Sequence, residues 1–155
     1  MKRYLGPLAV LTALAVLTGC GDDPDGRADD PATQQQTDAA APEVVDIVSG
    51  SAVGRAEVAE TATVIRDDDA LNQYLRQFES SPFVADLTDA MDAAAPAADR
   101  ALGLAVIEVS CNEPPSATVT EEGGRFFVTA GKVVDPHMEC IVPVTSVAVL
   151  DLPAQ

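Results

Sequence analysis

The chain has a single histidine, His137, in the run Asp135-Pro136-His137-Met138-Glu139-Cys140. Imidazole titrates near neutral pH, so two chemistries are open to it. It could act as a general base oriented by Asp135, or ligate a metal together with Glu139. A hydrolytic triad also needs an activated nucleophile, and no Gly-x-Ser-x-Gly elbow occurs anywhere in the sequence. The plainer reading is a polar residue in a connecting loop just ahead of a strand. No catalytic residue and no metal ligand is assigned from these residue types, with His137, Glu139 and Asp135 kept as the metal candidates.

Carboxylates are the other abundant chemistry. Asp67-Asp68-Asp69 and the series Asp86, Asp89, Asp92 invite calcium, but an EF-hand loop needs a glycine at its sixth position and neither segment has one. The spacing of three along Asp86, Asp89 and Asp92 places them on one helical face opposite Phe83 and Leu87, as a solvated face requires. Ser49-Gly50-Ser51-Ala52-Val53-Gly54-Arg55 has glycines but lacks the Gly-Lys-Ser/Thr ending of a phosphate-binding loop, and reads as a flexible loop. With no Trp, two Tyr and four Phe, the aromatic supply barely covers a core, which argues against a sugar-stacking platform. No cofactor is expected.

The elements that must carry these residues read as a mixed fold. Val44 to Val48 is a short apolar run. Ala56 to Ile65 reads as a strand rich in threonine and valine. Leu71, Tyr74, Leu75 and Phe78 follow the aspartate triplet at helical spacing, with an aspartate as N-cap. Ser81-Pro82 offers a second helix start, and Phe83, Leu87, Ala90 and Met91 continue the spacing until Pro96 stops it. Ala101 to Val109 is a continuous apolar stretch, long enough for a central strand. Ala117 and Val119, then Phe126, Val128 and Ala130, alternate with more polar residues around the turn Glu121-Glu122-Gly123-Gly124, a hairpin signature. Ile141 to Leu150 is the last strand, with Pro143 near its start. The expected architecture is α+β, an antiparallel sheet of four or five strands with two helices packed on one face.

The amino end is different in kind. Lys2 and Arg3 precede an apolar run from Leu5 to Leu17, and Thr18 and Gly19 come just before Cys20. A charged start, an apolar stretch and a small-residue processing site describe a secretory leader. A transmembrane helix is the rival reading, but Gly6-Pro7 and the break at Gly-Cys-Gly-Asp-Asp leave the run short of the roughly 20 apolar residues a span needs. The tetrad Leu17-Thr18-Gly19-Cys20 resembles the bacterial lipobox. That resemblance implies cleavage before Cys20 and two or three acyl chains on it, enough for stable attachment to a membrane. Residues 1–19 are then a lipoprotein signal peptide, and the protein sits lipid-anchored on the extracytoplasmic face of the cell membrane.

The anchor sets further expectations. Loss of Lys2 and Arg3 leaves seven basic residues against 25 acidic ones, a formal net charge of −18. Such a chain is repelled by nucleic acid and by anionic head groups, so no nucleic acid partner is expected. Residues 20–42, poor in apolar groups and rich in Asp, Pro, Gln and Ala, lack the surface to offset ordering entropy and read as a disordered acidic tether of roughly 25 Å. Residues 43–155 form a single domain. With Cys20 taken by lipid, Cys111 and Cys140 remain as an even pair outside the cytoplasm and read as a disulfide. A free buried thiol pair and a metal site are the rival readings, the latter short of ligands beyond His137 and nearby carboxylates.

From about residue 57 to 152 the order of elements resembles the C-terminal domain of the PrcB-type protease-complex lipoproteins. The matching parts are Thr63-Val64-Ile65, Leu71 to Phe78, Ala105 to Val109 and Thr145 to Leu150. The Gly-Gly-Tyr-like turn of that pattern is absent after the central strand, and the Cys111–Cys140 pair is an addition. The resemblance implies binding or stabilising an extracytoplasmic protease or other partner. The expected function is thus a non-catalytic protein-binding or assembly module, held to the membrane through Cys20, monomeric or weakly oligomeric, with an unidentified envelope protein as partner. The alternatives are a metal- or small-ligand-binding lipoprotein using carboxylates around His137 and Glu139, and an envelope hydrolase using His137 with Asp135.

Overall fold

The structure, a computed structural model, describes residues 41–155. The expected signal peptide, the lipobox-like tetrad with Cys20 and nearly all of the expected tether fall on residues 1–40, outside the described residues.

Six strands and two helices follow in the order β1 (Glu43–Ser51), β2 (Thr63–Ile65), α1 (Asp68–Leu75), α2 (Ser81–Ala94), β3 (Arg100–Ser110), β4 (Ala117–Glu122), β5 (Arg125–Ala130) and β6 (Val144–Pro153). Four strands form one antiparallel sheet in the order β1-β6-β3-β2, and β4 and β5 form a separate antiparallel hairpin. The expected α+β class therefore holds. The refinement is that the hairpin does not extend the main sheet.

The two central strands explain this arrangement. Leu104 to Ile107 in β3 and Thr145 to Leu150 in β6 are buried at every position rather than at alternate ones. Successive strand side chains point to opposite faces, so uninterrupted burial requires cover on both. One face carries Leu104, Val106, Val147 and Val149, which pack with Val53, Phe78, Phe83, Leu87 and Met91 from the helical side. The other carries Ala105, Ile107, Ala148, Leu150 and Leu152, which pack with Phe126 and Val128 of the hairpin. The continuously buried runs Leu104–Ile107 and Thr145–Leu150 are thus the signature of a sheet sandwiched between helices and a hairpin.

Local signals behave as their chemistry requires. Asp67 is the N-cap of α1, its Oδ1 accepting from the Ala70 amide at 2.8 Å, with Asp68 and Asp69 in the first turn where negative charge is favoured. The second helix has Ser80 rather than Ser81 at its N-cap position, without a side-chain capping bond, with Pro82 in its first turn, and it ends two residues before Pro96. Gly123 and Gly124 take φ of 58° and 72°, the left-handed pair that a two-residue hairpin turn needs.

Four boundaries differ from the sequence expectation. The strand expected over Ala56–Ile65 is regular only at Thr63–Ile65. Upstream, the chain crosses between the two sheets, Ala59 N–H donating to Val106 O, Ala62 N–H to Phe126 O, and Glu60 O accepting from Val128 N–H. This segment stitches two sheets together instead of lengthening one. Ser49-Gly50-Ser51 is not a loop: it continues β1 opposite Ser146, Thr145 and Val144. A Cβ at Gly50 would lie 2.6 Å from Phe83 Cδ2, so the glycine admits that ring against the sheet. Phe78 lies past the end of α1, in the turn that places it edge-on between Tyr74 and Phe83, at centroid distances of 5.8 and 5.1 Å. The last strand runs over Val144–Pro153, and Ile141 and Val142 are exposed ahead of it.

Candidate functional site

The candidate site is the loop of residues 131–143 between β5 and β6, which contains every metal candidate named from the sequence. Cys140 in this loop is disulfide-bonded to Cys111, just past β3, with a Cα–Cα distance of 5.3 Å and a sequence separation of 29. The bridge forms because β3 and β6 are antiparallel neighbours whose near ends meet at Ser110 and Val144. The disulfide expected from the cysteine arithmetic is present.

A second clamp comes from the residue after Cys111. The Asn112 side-chain amide takes both backbone groups of His137: its Oδ1 accepts from His137 N–H at 2.7 Å, and its Nδ2 donates to His137 O at 3.2 Å. Asp135 has φ of 55°, a left-handed conformation that aspartate tolerates, and Pro136 then fixes the next φ. A covalent bond, a two-way amide bridge and a stiff turn therefore set the shape of the loop.

The three sequence candidates are solvent-exposed. Asp135, His137 and Glu139 are not gathered into a metal-binding group, and no cluster of three or more His, Cys, Asp or Glu able to hold a metal occurs among the described residues. The hydrogen bonds at His137 are made by its backbone, which makes this residue part of the loop's framework.

Sequence reasoning missed the apolar side chains of the same loop. Val134 is 82% exposed, Met138 85% and Ile141 fully exposed, with Val142 and Val109 partly exposed near its base. Asp135, Glu139 and Lys132 share the loop with them, and Glu113 lies on the neighbouring segment beside Asn112. Single exposed valines are ordinary on a protein surface, but several large apolar residues on one constrained loop with polar neighbours are the usual mark of an interaction surface. The signal was present in the residue types, but Ile141 and Val142 read as the start of the last strand, and the run around Met138 as an ordinary connecting loop.

The opposite end of the sheet is built differently. Arg100 of β3 pairs with Asp151 of β6 at 2.9 Å (Nε to Oδ1), donates to Asp151 O at 2.9 Å, and donates to Ala41 O at 3.2 Å. It thereby holds the chain where it enters β1. Beside it lies a cleft of about 510 Å³ lined by Ile65, Leu71, Met91 and Leu102, with Arg66 among its polar residues. This cleft includes none of Asp135, His137 or Glu139.

Among the described residues one polar side-chain atom is buried without a hydrogen-bond partner, the Tyr74 hydroxyl. Burial pushes its pKa well above the ordinary phenol value, so it stays protonated under physiological conditions. Because that oxygen gains nothing from the fold, Tyr74→Phe should leave stability unchanged or raise it by up to about 1 kcal/mol in urea unfolding. A loss above about 1 kcal/mol would show that the hydroxyl has a partner in solution.

No helix among the described residues is long and apolar enough to cross a membrane. No family model matches the chain, and neither a curated protein nor a solved structure shows significant similarity to it.

Proposed function

We propose that the chain is an exported lipoprotein, held to the extracytoplasmic face of the cell membrane by lipid on Cys20, whose domain works as a non-catalytic protein-binding or assembly module. The observation that carries the reading is the Cys111–Cys140 disulfide. Disulfides persist in oxidising compartments, so the bridge agrees with a leader that directs the chain out of the cytoplasm. The third cysteine then stands alone in a tetrad that resembles a lipobox. The resemblance to protease-complex lipoproteins makes an extracytoplasmic protease one partner to consider.

The anchor has a direct test. Cells producing the parent chain and Cys20→Ser are fed a labelled fatty acid, and the protein is recovered and sized. The parent should carry label and migrate without its leader; Cys20→Ser should carry none and retain the 19 leader residues. Equal labelling of both would remove the anchor from this reading.

A further inference from the structure

We propose that the loop of residues 131–143 is the surface with which this domain grips a partner protein, and that the partner offers an apolar patch flanked by lysine or arginine. The inference deepens the binding-module reading above and rests on it. Three large apolar side chains, Val134, Met138 and Ile141, stand in solvent within eight residues of one another, while the domain fills two separate cores elsewhere. Folding alone would have these positions polar.

The loop is also held ready. The disulfide to Cys111 and the two hydrogen bonds from Asn112 to the His137 backbone fix its middle and its end before any partner arrives. A constrained loop loses little conformational entropy on binding, so apolar contact converts more fully into affinity.

Charge and position select the occupant. Residues 43–155 carry 19 acidic side chains against six basic ones. Asp135 and Glu139 within the loop, with Glu113 next to Asn112 at its base, outnumber Lys132. A second copy would bring the same acidic rim, and an anionic bilayer would repel it as well. Geometry points the same way. The chain enters β1 at Glu43, opposite Asp151, whereas the loop enters β6 at Val144, opposite Ser51 and Ser110. The entry point and the loop lie at opposite ends of a sheet about 30 Å long. The loop is thus remote from the point where the amino-terminal segment joins the domain.

Photocrosslinking in producing cells tests this with the full chain. Met138 is replaced by benzoylphenylalanine, with the exposed helical position Asp86 as control. The expected result is one discrete protein adduct from position 138 and none from position 86, mapped to an apolar stretch with adjacent lysine or arginine. Adding Ile141→Asp, or separately Val134→Ser, should cut that adduct by about tenfold with the melting temperature unchanged. The two variants guard against one of them disturbing the fold. A phospholipid adduct would assign the loop to the bilayer, and an adduct of twice the chain mass would assign it to a second copy. Either result, a contact lacking basic residues, or no adduct at all would overturn the proposal. The fatty-acid experiment separates this failure from that of the anchor. If the parent chain takes up no label while the position-138 adduct persists, the anchor falls and the loop stands. Labelling of Cys20 without an adduct keeps the anchor and removes the loop.

Discussion

Phe126→Ala should lower the stability of the domain by about 3–5 kcal/mol, the cost of truncating a fully buried aromatic that cannot be refilled by its neighbours. Phe126 is 1% exposed and heads the largest fully buried side chains; it sits on β5 facing Ala105, Ala148, Leu150 and Leu152 of the main sheet. Its backbone carbonyl also receives the Ala62 N–H, so the ring anchors the hairpin at the point where the chain crosses between sheets. Phe127 supplies the control. It is adjacent in sequence but points away from that core, beneath the Arg125 guanidinium at 5.1 Å from its ring centroid, and is only half-buried. Phe127→Ala should cost less than about 1 kcal/mol beyond a small cation–π contribution. Urea unfolding followed by circular dichroism reads both. If the two substitutions cost the same, the hairpin does not close the second core.

The second large effect belongs to the covalent clamp. Replacing both Cys111 and Cys140 by serine frees a loop whose ends are 29 residues apart, worth about 3–4 kcal/mol on the chain-entropy account. For a domain of this size the melting temperature should fall by roughly 10–20 °C. Amide exchange should localise the change. Protection across residues 131–143 should drop first and furthest, because Asn112 and His137 lose the neighbouring bridge that holds them in register, while β3 and β6 unfold only with the whole domain. A double-serine protein as stable as its parent, with an unchanged exchange pattern in the loop, would mean that the loop is shaped without the bridge. Its proposed preorganisation would then rest on Asn112 alone.

Several features of this fold were written locally. Asp67 caps a helix because a short carboxylate at that position satisfies an amide that the helix leaves open. Pro96 ends the second helix because it has no amide to give. Gly123-Gly124 turns the hairpin because both positions take positive φ. Cys111 and Cys140 were legible as a pair by elimination. Each of these depends on a few neighbouring residues or on a simple count, so reading along the chain suffices.

Other features were decided only when distant segments met. A continuous apolar strand announces that both of its faces are covered, but not by what. That β3 and β6 lie between two helices and a hairpin follows from the register of β1-β6-β3-β2 and from the crossing at residues 59–62. The exposure of Val134, Met138 and Ile141 was equally invisible. Their types favour burial, and Ile141, three residues ahead of the strand that begins at Val144, reads on paper as part of it. Local sequence states which side chains prefer to leave water. Whether there is room for them depends on the finite surface of the two cores, and those are filled by residues from the rest of the chain.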